Sequence, residues 1–224
     1  MFKKISKRLN KKDVLKDTSN LIDKFSEIYA KNIFGGKESR SGEGSNMIQT
    51  AEIRREIPLL VQNYEIRTFL DAPCGDWFWM CETLLGVEQY IGIDIVKGLI
   101  DKNTRKFMNE STNFLCLNLV EDLLPKADLI FCRDCFVHLT FDDIHKIIAN
   151  FKRSQSTFLL STTFTDRVSN SDLAGNDFWR PLNLELSPFN SPKSLTIINE
   201  KCTEYNGIYT DKSLGLWRLD EIKT

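Results

Sequence analysis

A chain of 224 residues with 42% hydrophobic and 27% charged residues can bury one substantial core, and this composition suits a soluble globular protein rather than a disordered or membrane one. The formal charge of −1 gives no global bias toward nucleic acid, and no apolar run approaches the ~18 residues of a membrane helix. The cysteines, at 74, 81, 116, 132, 135 and 202, are scattered; Cys132 and Cys135 have CxxC spacing but no second Cys or His pair beside them, so reduced thiols in a cytoplasmic protein are expected rather than a zinc site.

The first sixteen residues carry Lys3, Lys4, Lys7, Arg8, Lys11, Lys12 and Lys16. No apolar stretch follows them, so a secretory signal is not expected, and the segment reads as a solvated basic tail rather than a lipid or nucleic-acid contact. From Thr18, the 3.6-residue spacing of Leu21, Ile22, Phe25, Ile28 and Tyr29 predicts a helix, stopped at Gly35-Gly36. Residues 35–45 hold Gly, Ser and charged residues with no apolar side chain, so they are expected to be exposed or mobile. A flexible linker and a lid over a ligand, with Arg40 as an anion contact, are both open readings. Residues 1–45 thus form an N-terminal segment ahead of one main domain, 46–224. A helix over 46–62 turns Ile48, Ile53, Ile57, Leu60 and Val61 inward, and Pro58 is expected to kink or interrupt it.

Strand and helix then alternate. Short apolar runs predict strands near 67–71, 89–93, 112–117, 127–132 and 156–163, with helices over about 76–85, 97–109 and 141–152. A loop-rich segment with Asn176-Asp-Phe-Trp-Arg-Pro181 leads to two more strands near 195–202 and 214–219. This is an α/β chain, and open α/β sheets bind ligands in the loops at the strand C-termini.

The first such loop is Asp71-Ala-Pro-Cys-Gly-Asp76, and the second strand ends at Asp94 in Tyr90-Ile-Gly-Ile-Asp-Ile95. A glycine turn followed at this distance by a carboxylate is a nucleoside-binding arrangement, the acid serving the ribose hydroxyls. One glycine between two carboxylates suits no pyrophosphate, but a sulfonium carrying an ammonium group is tolerated there. The pattern resembles motif I of the class I S-adenosylmethionine (SAM) dependent methyltransferases in its D-x-x-C-G-D form, and the resemblance covers roughly residues 46–220. It implies a Rossmann-like sandwich with a mostly parallel seven-stranded sheet and a C-terminal antiparallel pair. It also implies SAM as cofactor, with Asp71, Ala72, Cys74 and Gly75 around its methionine portion, Asp94 on the ribose, and Asn118 and Leu119 at the adenine. Asn118 stands where many members carry Asp.

After the fourth strand, Cys132-Arg-Asp-Cys-Phe-Val-His-Leu139 lies where donor meets acceptor. Arg133 and Asp134 either hold the SAM carboxylate and ammonium or pair with each other. His138 is either a general base or a packed histidine capping a helix. Asn176, Asp177, Trp179 and Arg180 combine amide, acid, aromatic and cation; they either recognise a sugar or phosphorylated acceptor or anchor the loop to the core. The order of the later segments resembles small bacterial methyltransferases found in gene sets for surface polysaccharides, which implies O-methylation of a sugar or phosphoryl-containing precursor. An RNA methyltransferase and a non-catalytic SAM-binding protein are the alternatives, and no metal is expected because no ligand cluster is visible.

Overall fold

The computed structural model describes residues 21–174 and 177–223; the basic tail and Asn176 lie outside them. Its centre is a sheet of β1 (Thr68–Asp71), β2 (Gln89–Asp94), β3 (Thr112–Cys116), β4 (Leu129–Cys132), β5 (Phe158–Phe164), β6 (Thr196–Asn199) and β7 (Lys212–Arg218), in the order β3-β2-β1-β4-β5-β7-β6. β1 to β5 pair in parallel, and β7 pairs antiparallel to both β5 and β6. This is the mostly parallel seven-stranded sheet with a C-terminal antiparallel pair that the apolar runs and the resemblance imply.

The central strands read as apolar runs because both faces are covered. On one face Phe69, Phe131, Leu160 and Leu214 pack with Ile53, Ile57 and Leu60 of α2 (Ala51–Asn63) and with Leu99 and Ile100 of α3 (Lys97–Phe107). On the other, Leu70, Ile130 and Leu159 meet Ile144, Ile147, Ile148 and Phe151 of α4 (Phe141–Arg153). Each of these α4 side chains contributes about 1.5–3 kcal/mol by burial. Thr140 starts the helix, its hydroxyl oxygen accepting the Asp143 N–H at 3.2 Å, and Thr140→Ala should cost about 1 kcal/mol. The first helix, α1 (Leu21–Lys31), precedes α2.

Several local expectations differ from the fold. The helix expected over 46–62 begins only at Ala51, which leaves Ile48 exposed rather than turned inward. Pro58 does not interrupt α2, which runs through it. No helix forms over 76–85: Gly75 (φ +54°) and Trp77 (φ +57°) are left-handed, and only a 3₁₀ turn, Met80–Glu82, follows. The segment 35–45 is not simply exposed. Ser39 and Ser45 are buried, and an added Cβ at Gly36 would lie 1.9 Å from the Ser39 carbonyl, so the chain folds closely on itself there.

Candidate functional site

The sheet order reverses between β1 and β4, which opens a crevice at their C-terminal ends. A cavity lies there, walled by the Gly75 turn, the ends of β2 and β4, the loop after β3, and α1 with its following strap, residues 35–45.

Asp71, Cys74, Gly75, Asp94, Asn118, Leu119, Arg133, Asp134, His138 and Arg40 all line the cavity. Ala72 does not: its side chain packs in the core, and its N–H donates to the Phe131 carbonyl at 2.8 Å. Asp94 is buried and held from two sides, accepting the N–H of Gly75 at 3.2 Å on one oxygen and of Val96 at 2.9 Å on the other. Burial pushes its carboxyl up to about 6 against those two bonds. Asp71 lies deeper; the Tyr90 hydroxyl donates to it at 2.5 Å, and burial raises it to about 8. Asn118 shapes its own loop, its side-chain oxygen accepting the Val120 N–H at 3.0 Å.

Arg133 and Asp134 touch at 3.3 Å, but the stronger bonds of each go elsewhere. Arg133 donates to Glu200 at 2.7 Å and to the Gly44 carbonyl at 2.9 Å, while Lys212 donates to Asp134 at 2.7 Å. Burial alone would push the Asp134 carboxyl up; Lys212 and Arg133 outweigh it and hold it at about 2. Neither Glu200 nor Lys212 is marked in the sequence as part of this cluster, because each reaches it only through the β6–β7 pairing.

His138 ends a 3₁₀ turn, Phe136–His138. Its Nδ1 lies 2.8 Å from the Phe178 carbonyl, which only accepts, so Nδ1 carries the proton and Nε2 keeps its lone pair. Burial among Phe34 and Phe178 lowers the imidazole to about 4, so it is neutral at pH 7.

The Asp177–Arg180 loop does not form a recognition surface on this cavity. Arg180 is buried and spends its guanidinium on the carbonyls of Phe136 (2.6 Å), Leu139 (2.5 Å) and Ser171 (3.2 Å). Trp179 packs edge-on against Phe164 and Tyr209, and Asp177 is exposed. A planar fork of donors suits loop carbonyls as well as it suits anions, so residue type alone could not separate the two. Arg40 is likewise committed, donating from its guanidinium to the Tyr29 carbonyl at 2.8 Å. Leu21, Phe25 and Tyr29 of α1, which also wall the cavity, are marked in the sequence only as a helix face. No group of three or more His, Cys, Asp or Glu placed to hold a metal occurs among the described residues.

No family model matches the chain, and no curated protein sequence matches it. Solved structures do. The N-methyltransferase NodS from Bradyrhizobium japonicum WM9 aligns with a TM-score of 0.53 and 10% identity over 78% of this chain and 98% of that one. Magnesium protoporphyrin IX methyltransferase (ChlM) from Synechocystis PCC 6803 with bound SAM aligns at 0.50, with 13% identity over 70% and 83%. The chain spans just under two thirds, 66%, of the methyltransferase domain of bacterial CtHen1-C, at a TM-score of 0.45. At these identities the likeness establishes the fold: a Rossmann-like methyltransferase sandwich.

Proposed function

We propose that this chain is a SAM-dependent methyltransferase acting on an oxygen of a small polar acceptor. The observation that carries the reading is Asp94. It ends β2 on the cavity wall, and the backbone N–H groups of Gly75 and Val96 fix both of its oxygens there, which suits a carboxylate meant for a pair of vicinal ribose hydroxyls. The rest of the cavity fits the same cofactor. Asn118, Leu119 and Val120 would flank the adenine, and the ionised Asp134 suits a cationic methionine end. The absence of a helix after Gly75 removes the N-terminal dipole that a pyrophosphate would seek.

When bound, SAM supplies an electrophilic methyl on a sulfonium. The protein has to align the acceptor oxygen with that bond and exclude water, which the α1 wall and the strap are placed to do. His138 would accept the acceptor's proton at Nε2, and the Phe178 carbonyl would steady the resulting imidazolium through Nδ1–H. A base whose conjugate acid lies near 4 does not deprotonate a hydroxyl beforehand, so the proton would move as the methyl transfers.

A hydroxyl acceptor is favoured over a phosphoryl one, because Arg40 and Arg180, the cations expected to hold an anion, are both bonded to backbone carbonyls. A sugar hydroxyl of a surface-polysaccharide precursor is the acceptor that the sequence resemblance adds. The test is an acceptor screen with SAM, following release of S-adenosylhomocysteine across sugar nucleotides, phosphorylated compounds, amines and RNA. Turnover only on RNA or only on amines would replace this reading.

A further inference from the structure

We propose that Asp76 is a positioning residue that latches the strap, through its residues 39–41, across the Gly75 turn, so that the strap must release for the cofactor to enter or leave. This rests on the reading of the cavity as a SAM site.

The strap carries no apolar side chain from Gly35 to Ser45, yet it lies tightly against the site. One carboxylate ties its middle to the Gly75 turn. Asp76 accepts the Ser39 hydroxyl at 2.8 Å on one oxygen and the Arg40 N–H at 2.8 Å on the other. Ser41 closes the ring, its hydroxyl donating to Asp76 at 3.4 Å and accepting the Asp76 N–H at 3.3 Å. The fit leaves no gap: an added Cβ at Gly75 would lie 2.3 Å from the Ser41 hydroxyl oxygen. The turn that faces the proposed methionine site is therefore covered from outside by the strap.

The latch also reaches α1, which walls the cavity as well. Arg40, fixed at its backbone by Asp76, donates from its guanidinium to the carbonyls of Tyr29 and Ala30, at the C-terminal end of α1. Phe25 and Tyr29 of α1 wall the cavity. Farther along, the Gly44 carbonyl accepts from Arg133, and Gln49 exchanges two hydrogen bonds with Thr203, at 2.7 and 3.1 Å. One carboxylate thus couples the cofactor turn, the strap and α1. Bonds of this kind are directional, and water replaces them when they break, so the strap opens at far lower cost than an apolar interface of the same extent. Ser39 is buried but does not line the cavity, so whatever its loss does to the cofactor must pass through the strap.

The experiment compares wild type with Asp76→Asn and Ser39→Ala, each first checked for a native melting transition. Amide hydrogen exchange of 39–45 is measured without ligand, and S-adenosylhomocysteine dissociation is followed by stopped-flow fluorescence of Trp77 and Trp79, which line the cavity. Both variants should exchange faster over 39–45 and release S-adenosylhomocysteine faster, each by about tenfold or more, as expected for loss of a charge-assisted bond. The double variant should show less than the product of the two effects. Wild-type exchange in both folded variants overturns the latch, and a loosened strap with an unchanged release rate overturns the gate. If wild type binds no S-adenosylhomocysteine, the cofactor reading fails, and the exchange of 39–45 still decides the latch.

Discussion

Replacing Asp94 with alanine tests the cofactor site at its best-defined point. With its carboxyl near 6, Asp94 is about nine-tenths ionised at pH 7. It would offer two charge-assisted acceptors to the ribose, while Gly75 and Val96 hold its orientation. Loss of both bonds, less what water recovers in the space left behind, comes to about 2–4 kcal/mol, or roughly 30- to 900-fold in Kd. Asp94→Asn should recover little, because an amide NH₂ would face one of the two backbone N–H donors. Calorimetric titration with SAM is the assay, with a melting curve to show that the variant is folded. A folded alanine variant that binds SAM within about threefold of wild type would refute the ribose assignment.

Other outcomes follow from the same geometry. His138→Ala should lower kcat by about 10²–10⁴ with SAM affinity unchanged, read by single-turnover kinetics once an acceptor is known. Arg180→Ala should lower stability by about 2–5 kcal/mol, leaving the Phe136 and Leu139 carbonyls unpaired, and a calorimetric Tm drop on the order of 5–15 °C would show it. SAM affinity should fall as pH drops through about 6, to about a tenth at pH 5, because Asp94 takes up a proton; kcat should stay flat from about pH 8 to 5.5, because His138 titrates near 4. The raised carboxyls of Asp71 and Asp94 make the native ligand-free state bind more protons than the unfolded chain between about pH 4 and 8, so their contribution to stability declines as pH rises through that window, measurable by denaturant titration. Activity should survive EDTA; loss that Mg²⁺ restores would reveal a metal site.

The strands were legible because a two-sided parallel sheet buries every residue of a short run, as in Leu129–Cys132, where all four positions are buried. Asp94 was legible because register follows from the run that precedes it. The segment after Gly75 was not: Asp76-Trp-Phe-Trp-Met80 has the composition of a helix start, but its backbone is set by Trp77, whose ring packs against Tyr90, Phe107 and Phe114. Those partners come from three other elements and leave no local trace. The strap misled in the opposite sense. Apolar content reports burial by the hydrophobic effect, whereas Ser39 is buried by a hydrogen bond to a carboxylate 37 positions away. The Trp179–Arg180 loop has the chemistry of a binding surface and spends it on its own backbone, which only the positions of the Phe136 and Leu139 carbonyls reveal.

A crystal structure of the protein with S-adenosylhomocysteine decides whether this cavity holds SAM with its ribose on Asp94. Both ribose hydroxyls should lie within hydrogen-bond distance of the Asp94 carboxylate, with the adenine beside Asn118 and Leu119 and the sulfur facing His138. A nucleoside bound elsewhere, or one that leaves Asp94 without a ribose contact, would contradict that placement.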